Sequence, residues 1–303
     1  MAKPQAALAA MIVSATPLGI GSNALAGGTA AAPPAASACI PRDAAFNVAK
    51  LDGALTLCTI EKACWRVDVA ADKWQPSPTT LPDPEPAVDA VEVTAQGFKI
   101  CNPATKACET IALPKVETDD LGSTRAVVNE DQSLLAVFTG QEALRVFDLK
   151  TRKQLYTVKP TKSAMNFIGA ARFIGPALYV MSSHSPVSSS GKLVNARTGK
   201  LITDIGKKGG PVDELMPLAL GGDRYAFATW MLDKLLIINV KTGKVLKKVA
   251  LGGNPKMPLE GLTLLALTPD NKIVAVADSI GIALVQVIDP VTGARTVLKA
   301  PGC

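Results

Sequence analysis

The stretch Ile237 to Lys248, IINVKTGKVLKK, contains a short polar phrase inside a run of aliphatic residues. Leu235 to Ile238 before the phrase and Val245 to Val249 after it are rich in Val, Ile and Leu, which favour β-strands. The phrase NVKTGK has the composition of a tight turn, because Asn hydrogen-bonds its own backbone and Gly accepts a positive φ. The stretch therefore predicts a β-hairpin.

The same phrase recurs at nearly regular spacing. Five copies begin at Asn102, Asp148, Asn195, Asn239 and Asp289, at intervals of 46, 47, 44 and 50 residues. Further aliphatic runs lie before or after these copies: Leu134 to Phe138, Leu144 to Phe147, Leu155 to Val158, Tyr225 to Trp230, Ile273 to Ala277, Val285 to Ile288 and Thr296 to Leu298. Three or four short strands in each repeat, with no amphipathic helix between them, predict an all-β fold: a β-propeller of antiparallel four-stranded blades.

The phrases also resemble a known repeat. VIDPVTGARTVL, from Val287 to Leu298, resembles the YVTN-type propeller repeat, and Ile237 to Lys248 is similar to the repeat that this group shares with the quinoprotein-like, WD-repeat-like propellers. The resemblance runs from about Ala87 to Gly302 and implies an architecture that hosts many unrelated functions.

One departure from that pattern bears on cofactors. Quinone-dependent propellers of this kind carry a docking Trp eight residues after the leading Asp. The corresponding positions here are Thr110, Tyr156, Thr203, Lys247 and Val297. Quinone binding is therefore disfavoured, and we expect no cofactor.

The number of blades follows from the repeat length. Aligning Cys58 with Cys101, an interval of 43 residues, adds a sixth hairpin, and the 265 residues from Cys39 to Cys303 divide into six units. Six blades are predicted, with seven as the alternative. Three strands are predicted in each of the first two units: Phe46 to Leu51, Ala54 to Cys58 and Trp65 to Ala70, then Val88 to Thr94, Gly97 to Cys101 and Glu109 to Leu113.

The N-terminus has the pattern of an export signal. Residues 1–26 combine Lys3, an apolar stretch and a final Ala-Leu-Ala, which is typical of a cleaved signal peptide. A transmembrane anchor is the alternative, but Pro17, Gly19 and Gly21 interrupt the short apolar stretch. We expect a low-complexity Ala/Pro linker over 27–38, a propeller over 39–303, and a periplasmic or extracellular protein with no integral membrane span in the mature chain.

The six cysteines fit an oxidising compartment. Cys58 with Cys64 and Cys101 with Cys108 flank predicted hairpin turns, and a cross-strand pair lies within disulfide range. The rival bridge, Cys58 to Cys101, would join neighbouring blades that splay apart. Cys39 and Cys303 remain, and a bridge between them would close the ring covalently.

Composition excludes several classes of function. With 48% apolar residues the chain is too hydrophobic to be disordered, and its formal charge of +6 comes from Lys and Arg that look scattered along the sequence, which argues against nucleic-acid binding. His184 is the one histidine, so metal and catalytic sites that need two imidazoles are excluded. Glu117, Asp119 and Asp120 lack the alternation of a calcium loop, and we expect no metal.

Long connections indicate where a ligand would bind. In a four-stranded blade the turn phrases open on one face, and the links between blades open on the other. Five segments predicted as long loops share that second face: Gln75 to Pro86, Lys115 to Ser123, Ser182 to Gly191, Gly206 to Leu215 and Gly252 to Gly261. Candidate binding residues on them are His184, Lys207, Lys208, Asp213, Glu214, Lys256 and Glu260.

These observations favour a non-enzymatic role. We expect an exported, monomeric propeller that binds a protein, peptide or cell-envelope component through this face, with no catalytic residues. The alternative is a lactonase-like or other hydrolase with its site in the central channel, which would need several converging charged side chains. A purely structural role in the envelope is a third interpretation.

Overall fold

The structure is a computed structural model of the 303-residue chain. It describes residues 46–48, 55–59, 64–77, 91–94, 96–102, 105–113, 124–139, 143–159, 167–185, 188–209, 217–229, 234–251, 261–268, 270–279 and 282–299.

The described residues form six antiparallel sheets, each with its strands in chain order. Blade 1 contains β1 (Phe46–Val48), β2 (Leu55–Thr59), β3 (Cys64–Asp68) and β4 (Lys73–Ser77). Blade 2 contains β5 (Val91–Thr94), β6 (Gly97–Cys101) and β7 (Cys108–Ile111). Blade 3 contains β8 (Thr124–Val128), β9 (Leu134–Thr139), β10 (Leu144–Asp148) and β11 (Lys153–Val158).

The second half of the chain repeats this pattern three more times. Blade 4 contains β12 (Phe167–Ile174), β13 (Ala177–Ser185), β14 (Ser188–Asn195) and β15 (Leu201–Asp204), followed by the short helix α1 (Ile205–Gly209). Blade 5 contains β16 (Leu218–Ala219), β17 (Arg224–Ala228), β18 (Lys234–Asn239) and β19 (Lys244–Ala250). Blade 6 contains β20 (Gly261–Leu267), β21 (Ile273–Ser279), β22 (Ile282–Ile288) and β23 (Arg295–Lys299).

The blades are arranged in a closed ring. The first described strands of neighbouring blades contact each other at four places: β5 with β8, β8 with β12, β16 with β20, and β20 of the last blade with β1 of the first. Buried apolar clusters join blade 2 to blade 3, 3 to 4, 4 to 5, 5 to 6 and, across the seam, 6 to 1. At these five junctions the sheets bury apolar faces against each other, as a propeller requires. The predicted six-bladed β-propeller is confirmed.

In blades 3 to 6 the recurring phrase forms the turn between the third and fourth strands, and in blade 2 it joins β6 to β7. The fourth residue after the leading Asn or Asp has a left-handed backbone at every copy, with φ between +55° and +78°. Gly occupies this position in blades 4, 5 and 6 (Gly199, Gly243 and Gly293). Arg152 and Lys106 occupy it in blades 3 and 2, where the rest of the turn imposes the conformation on a residue with a Cβ.

Blade 1 differs from the sequence-based prediction. Its turn runs from Asp68, whose Oδ1 accepts hydrogen bonds from the backbone N–H groups of Ala70 and Ala71, and Asp72 has the left-handed φ of +47°. The sixth hairpin of this type is therefore at Asp68, and the alignment of Cys58 with Cys101 was wrong. The fourth strand of blade 1 is β4, which the prediction missed because Pro76 interrupts its pattern.

Both hairpin disulfides are present. Cys58 bonds to Cys64 across β2 and β3, and Cys101 bonds to Cys108 across β6 and β7. This confirms the two predicted pairs and excludes the rival bridge. Arg152 in the turn of blade 3 has its Nη2 3.8 Å from Oε1 of Glu109, so the Cys101–Cys108 bridge lies on the same side of the ring as that turn. The Cys58–Cys64 bridge flanks the second-to-third turn of blade 1 and lies on the opposite side. Cys39 and Cys303 lie outside the described residues.

Three predicted loops contain regular structure, and the first of them, Gln75 to Pro86, begins inside β4, which ends at Ser77. Ser182 to Gly191 was predicted as a long loop, but β13 continues to Ser185 and β14 begins at Ser188, with Ser183 opposite Ser189. Interstrand hydrogen bonds override the polar composition here. The segment from Gly206 begins inside α1. Along the described ranges no helix combines the length and apolar character needed to cross a membrane.

Candidate functional site

We call the side of the ring that carries the turns of the recurring phrase the turn face. There, the leading Asp and Asn side chains accept hydrogen bonds from residues of their own turns. Asp148 Oδ1 accepts hydrogen bonds from the backbone N–H and hydroxyl of Thr151 at 2.8 and 2.9 Å. Asn239 Oδ1 makes the same pair of contacts with Thr242 at 2.9 and 3.0 Å. These Asp and Asn side chains therefore stabilise their own turns, and their oxygen atoms are not directed at a ligand.

Hydrogen bonding also changes the titration of the turn carboxylates. Backbone hydrogen bonds from Thr151 and Thr292 lower the pKa of Asp148 and Asp289 below the ordinary value of 3.8. In the turns between first and second strands, side-chain hydrogen bonds lower the pKa of Asp131 and Asp270 in the same way. Each of these bonds favours the ionised carboxylate.

The fold should therefore lose stability in acid. The Asn residues that lead the turns of other blades suggest the substitution that tests this. A carboxylate whose pKa is lower in the folded state than in the unfolded state stabilises the fold at pH values above its ordinary pKa. This contribution to the free energy of unfolding is lost as pH falls through the lowered pKa. Asn occupies the leading position in blades 4 and 5, so Asp148→Asn with Asp289→Asn keeps the turn geometry without a titrating group. We expect this variant to show a smaller drop in Tm than the wild type between about pH 7 and pH 3.

A matched control separates this effect from loss of charge alone. Glu109→Gln with Glu130→Gln removes the same charge from two exposed side chains. The control should retain the steep acid dependence of the wild type. If the Asp148/Asp289 variant were as acid-sensitive as this control, the turns would not be the source of the pH dependence.

Long side chains connect adjacent blades at the outer strands. The residue eight positions after the leading Asp or Asn packs on the turn of the next blade. The Tyr156 hydroxyl donates to the carbonyl of Ala196 at 2.8 Å, and a Cβ at Gly199 would lie 2.5 Å from the Tyr156 ring. Lys247 Nζ donates to the carbonyl of Thr292 at 3.0 Å beside Gly293. Burial raises the pKa of the Tyr156 hydroxyl.

Lys207 and Lys208 are the predicted binding residues whose side chains the structure describes. Both lie in α1 and are exposed. Lys208 Nζ donates to the carbonyl of Gly243 in the turn of blade 5 at 2.9 Å. In return, Lys248 Nζ of β19 donates to the carbonyl of Lys208, also at 2.9 Å. The two lysines thus lie at the outer junction of blades 4 and 5.

The other predicted binding residues are not brought together by described contacts. His184 lies on β13, where the strand register shifts between Ser183 and Ser185. Asp213, Glu214, Lys256 and Glu260 lie outside the described residues, as do Glu117, Asp119 and Asp120. Within the described ranges, no group of three or more His, Cys, Asp or Glu side chains is arranged to hold a metal ion.

The ring also assembles residues that the sequence analysis did not single out. Lys200 precedes β15, and Lys241, Lys244, Lys247 and Lys248 lie in the turn and outer strand of blade 5. These lysines looked scattered because β15 and β19 are separated by most of a repeat. The signal in the sequence was that the two groups of lysines are about one repeat apart. Equivalent positions of adjacent blades become neighbours in the ring.

Comparison with known proteins finds a similarity of structure. No family model matches the chain, and no curated protein matches it. Among solved structures the chain is similar to the crystal structure of the WD40 beta propeller domain of Doa1, with a TM-score of 0.40 and 12% identity over 86% of this chain and 84% of that chain. The propeller assignment rests on the six sheets and the contact between β20 and β1.

Proposed function

We propose that this chain is an exported, non-catalytic propeller that binds a protein, peptide or cell-envelope component as a monomer. The binding face is the one at which the links between blades begin and end. The observation that carries this proposal is the length of the links between blades on this face compared with the turns on the opposite face. Segments 78–90, 112–123 and 251–260 each separate two blades, whereas the turns at 149–152 and 240–243 have four residues.

This asymmetry favours one face for recognition. Short turns whose polar groups are hydrogen-bonded internally offer few free contacts to a partner. Long connections on a rigid scaffold tolerate variation and commonly carry binding residues. The candidates His184, Asp213, Glu214, Lys256 and Glu260 all belong by sequence to that second face.

Export is supported by the disulfides. Bridges Cys58–Cys64 and Cys101–Cys108 are the kind of bond that persists in an oxidising compartment. We propose that residues 1–26 are a cleaved signal peptide, that 27–38 are a linker and that 39–303 make up the propeller. Placement in the periplasm or outside the cell follows from this division.

The repeats support kinship with the YVTN-type and quinoprotein-like group. The contact of Tyr156 with Gly199 has the blade-to-blade geometry expected of a docking side chain eight residues after the leading Asp. Lys247 reaches Gly293 from the same position. Tyr and Lys replace the Trp of quinone-dependent members, which is why we propose no quinone cofactor.

The test is partner capture with face-specific variants. The mature chain, tagged and cross-linked in an envelope extract, should retain a partner. Replacing His184, Asp213, Glu214, Lys256 and Glu260 by Ala should lower the recovered partner roughly tenfold or more, as expected when several contacts of an interface are removed. Quantitative mass spectrometry of the captured material gives the measurement.

The opposite face provides the control. Glu109→Ala, Glu130→Ala, Lys150→Ala and Lys153→Ala change exposed residues at or near the turn face. This variant should capture as much partner as the wild type. A partner lost from the turn-face variant and kept by the long-connection variant would reverse the assignment of faces.

A further inference from the structure

The outer edge of blades 4 and 5 concentrates the positive charge of the molecule. Residues 200–209 and 239–250 contain seven lysines and one carboxylate, Asp204. The whole chain has 32 basic and 26 acidic residues, so the remainder is balanced at 25 of each. This edge therefore accounts for the entire net charge of +6. We call it the lysine edge, and its members are Lys200, Lys207, Lys208, Lys241, Lys244, Lys247 and Lys248.

The lysine edge is one continuous surface. The hydrogen bonds from Lys208 to the Gly243 carbonyl and from Lys248 to the Lys208 carbonyl, both 2.9 Å, join α1 to the outer part of blade 5. A Cβ at Gly243 would lie 2.7 Å from the Ile202 carbonyl oxygen, so the turn and β15 are also in contact. These carbonyl partners orient the ammonium groups without neutralising them.

Most of the lysine side chains of this edge are exposed to solvent. All members of the lysine edge except Lys247 are exposed, and Lys247 is half-buried. No salt bridge within the described part of the chain involves any of the seven. A dense group of like charges costs free energy through self-repulsion, and an anionic partner removes that cost.

Apolar side chains within the edge indicate the kind of partner. Leu201 of β15 is 55% exposed and Leu246 of β19 is 43% exposed, and both stand among the lysines. Exposed leucines gain no favourable burial by binding a polyanion in water. They are buried favourably at the boundary between the acyl chains and the charged headgroups of a membrane. The cations are all lysines, which act as point charges and suit a diffuse anionic surface more than bidentate recognition of one carboxylate.

We propose that the lysine edge binds the surface of a membrane that contains anionic phospholipid, with Leu201 and Leu246 entering the headgroup region. The propeller would then contact the membrane through its outer edge. The face that carries the links between blades, which we call the long-connection face, would remain free. This inference deepens the proposed function by naming one envelope component. It rests on that function for the compartment alone.

Vesicle flotation with the purified mature chain tests the proposal. The chain should float with vesicles of phosphatidylcholine mixed with phosphatidylglycerol and stay in the soluble fraction with pure phosphatidylcholine. Lys207→Gln, Lys241→Gln and Lys244→Gln spare the lysines whose side chains bond neighbouring blades. This triple variant should bind the anionic vesicles roughly 100-fold more weakly, since each lysine near such a surface contributes about fivefold.

Two further variants sharpen the result. Lys73→Gln, Lys150→Gln and Lys153→Gln remove the same charge from exposed lysines outside the edge, and this variant should bind like the wild type. Leu201→Ser with Leu246→Ser should weaken binding roughly tenfold, through the apolar contribution alone. Thermal unfolding of each variant verifies that the propeller is intact.

Several results would overturn the proposal. Equal flotation with neutral and anionic vesicles would remove the role of charge, and equal loss in the two triple variants would remove the role of this edge. Binding to a poly-glutamate peptide without binding to anionic vesicles would identify an acidic protein segment as the partner class instead. Failure with vesicles leaves partner capture by the long-connection face untouched, so the two hypotheses fail separately.

Discussion

Replacing Trp65 by Ala is expected to cost about 3 to 5 kcal/mol of the free energy of unfolding, which is the range for truncating a buried Trp. The Trp65 side chain is 1% exposed and belongs to the cluster that joins blade 6 to blade 1. Its neighbours in that cluster include Val274 and Val285 of the last blade. The cavity would therefore open at the seam where the two ends of the ring meet.

Urea unfolding followed by fluorescence or circular dichroism gives the size of the loss, and hydrogen exchange gives its location. Phe98→Ala is the matched variant, because Phe98 is equally buried but packs between blades 2 and 3. Trp65→Ala should lower amide protection in β2, β3, β21 and β22, whereas Phe98→Ala should lower it in blades 2 and 3. Loss of protection confined to blade 1 in the Trp65 variant would mean that the seam does not hold the ring closed.

A substitution on the surface calibrates both variants. Phe167 of β12 is 41% exposed, and its replacement by Ala should cost well under 1 kcal/mol, roughly the size of ordinary surface substitutions. The contrast tests burial rather than aromatic character. A loss at Phe167 as large as that at Trp65 would contradict the assigned burial.

The repeated turn phrase was sufficient to predict the blades from sequence because its information is local. Asn or Asp at the start and Thr three residues later, with Gly at the next position in three of the five copies, satisfy one short segment of backbone, so the pattern survives wherever such a turn occurs. The same locality made the hairpin disulfides predictable. Both bridges join cysteines only six or seven residues apart.

Blade 1 was misaligned because its turn lacks that local signature. The segment VDVAADK lacks the Thr that all five other copies carry three residues after the leading Asn or Asp. Its left-handed position is Asp72, a residue with a Cβ, as it is in blades 2 and 3. The neighbouring bridge between Cys58 and Cys64 resembled the second blade's bridge and drew the alignment to the wrong hairpin. The correct turn at Asp68 is fixed by the pairing of β3 with β4, which is a property of the sheet.

Features that depend on contacts beyond the local sequence were the hardest to predict. The serine-rich hairpin of β13 and β14 looked like a loop because its side chains are polar, yet the backbone groups pair regardless of side-chain polarity. The lysine edge was invisible for a related reason. Lys207 and Lys244 become neighbours only when a whole repeat is folded and the next blade packs beside it.

Gly243→Ala is expected to reduce stability far more than Gly222→Ala, although both glycines have left-handed backbones with φ of +70° and +58°. The shared backbone strain costs about 1 to 2 kcal/mol. A Cβ at Gly222 would meet nothing within 4 Å. A Cβ at Gly243 would lie 2.7 Å from the Ile202 carbonyl oxygen and 2.9 Å from the Thr203 Cβ, in the neighbouring blade.

The difference between these two variants therefore isolates the contact between blades. Overpacking of this kind adds roughly 1 to 3 kcal/mol, because the obstacle is backbone of β15 and cannot rotate away as a side chain would. Urea unfolding of the two proteins measures the difference directly. Equal losses in the free energy of unfolding would mean that the turn of blade 5 shifts without cost to accommodate the Cβ. Gly243 would then be required only for the left-handed backbone of the turn. A larger loss in Gly243→Ala would show that the repeated glycine is also the surface on which the preceding blade docks.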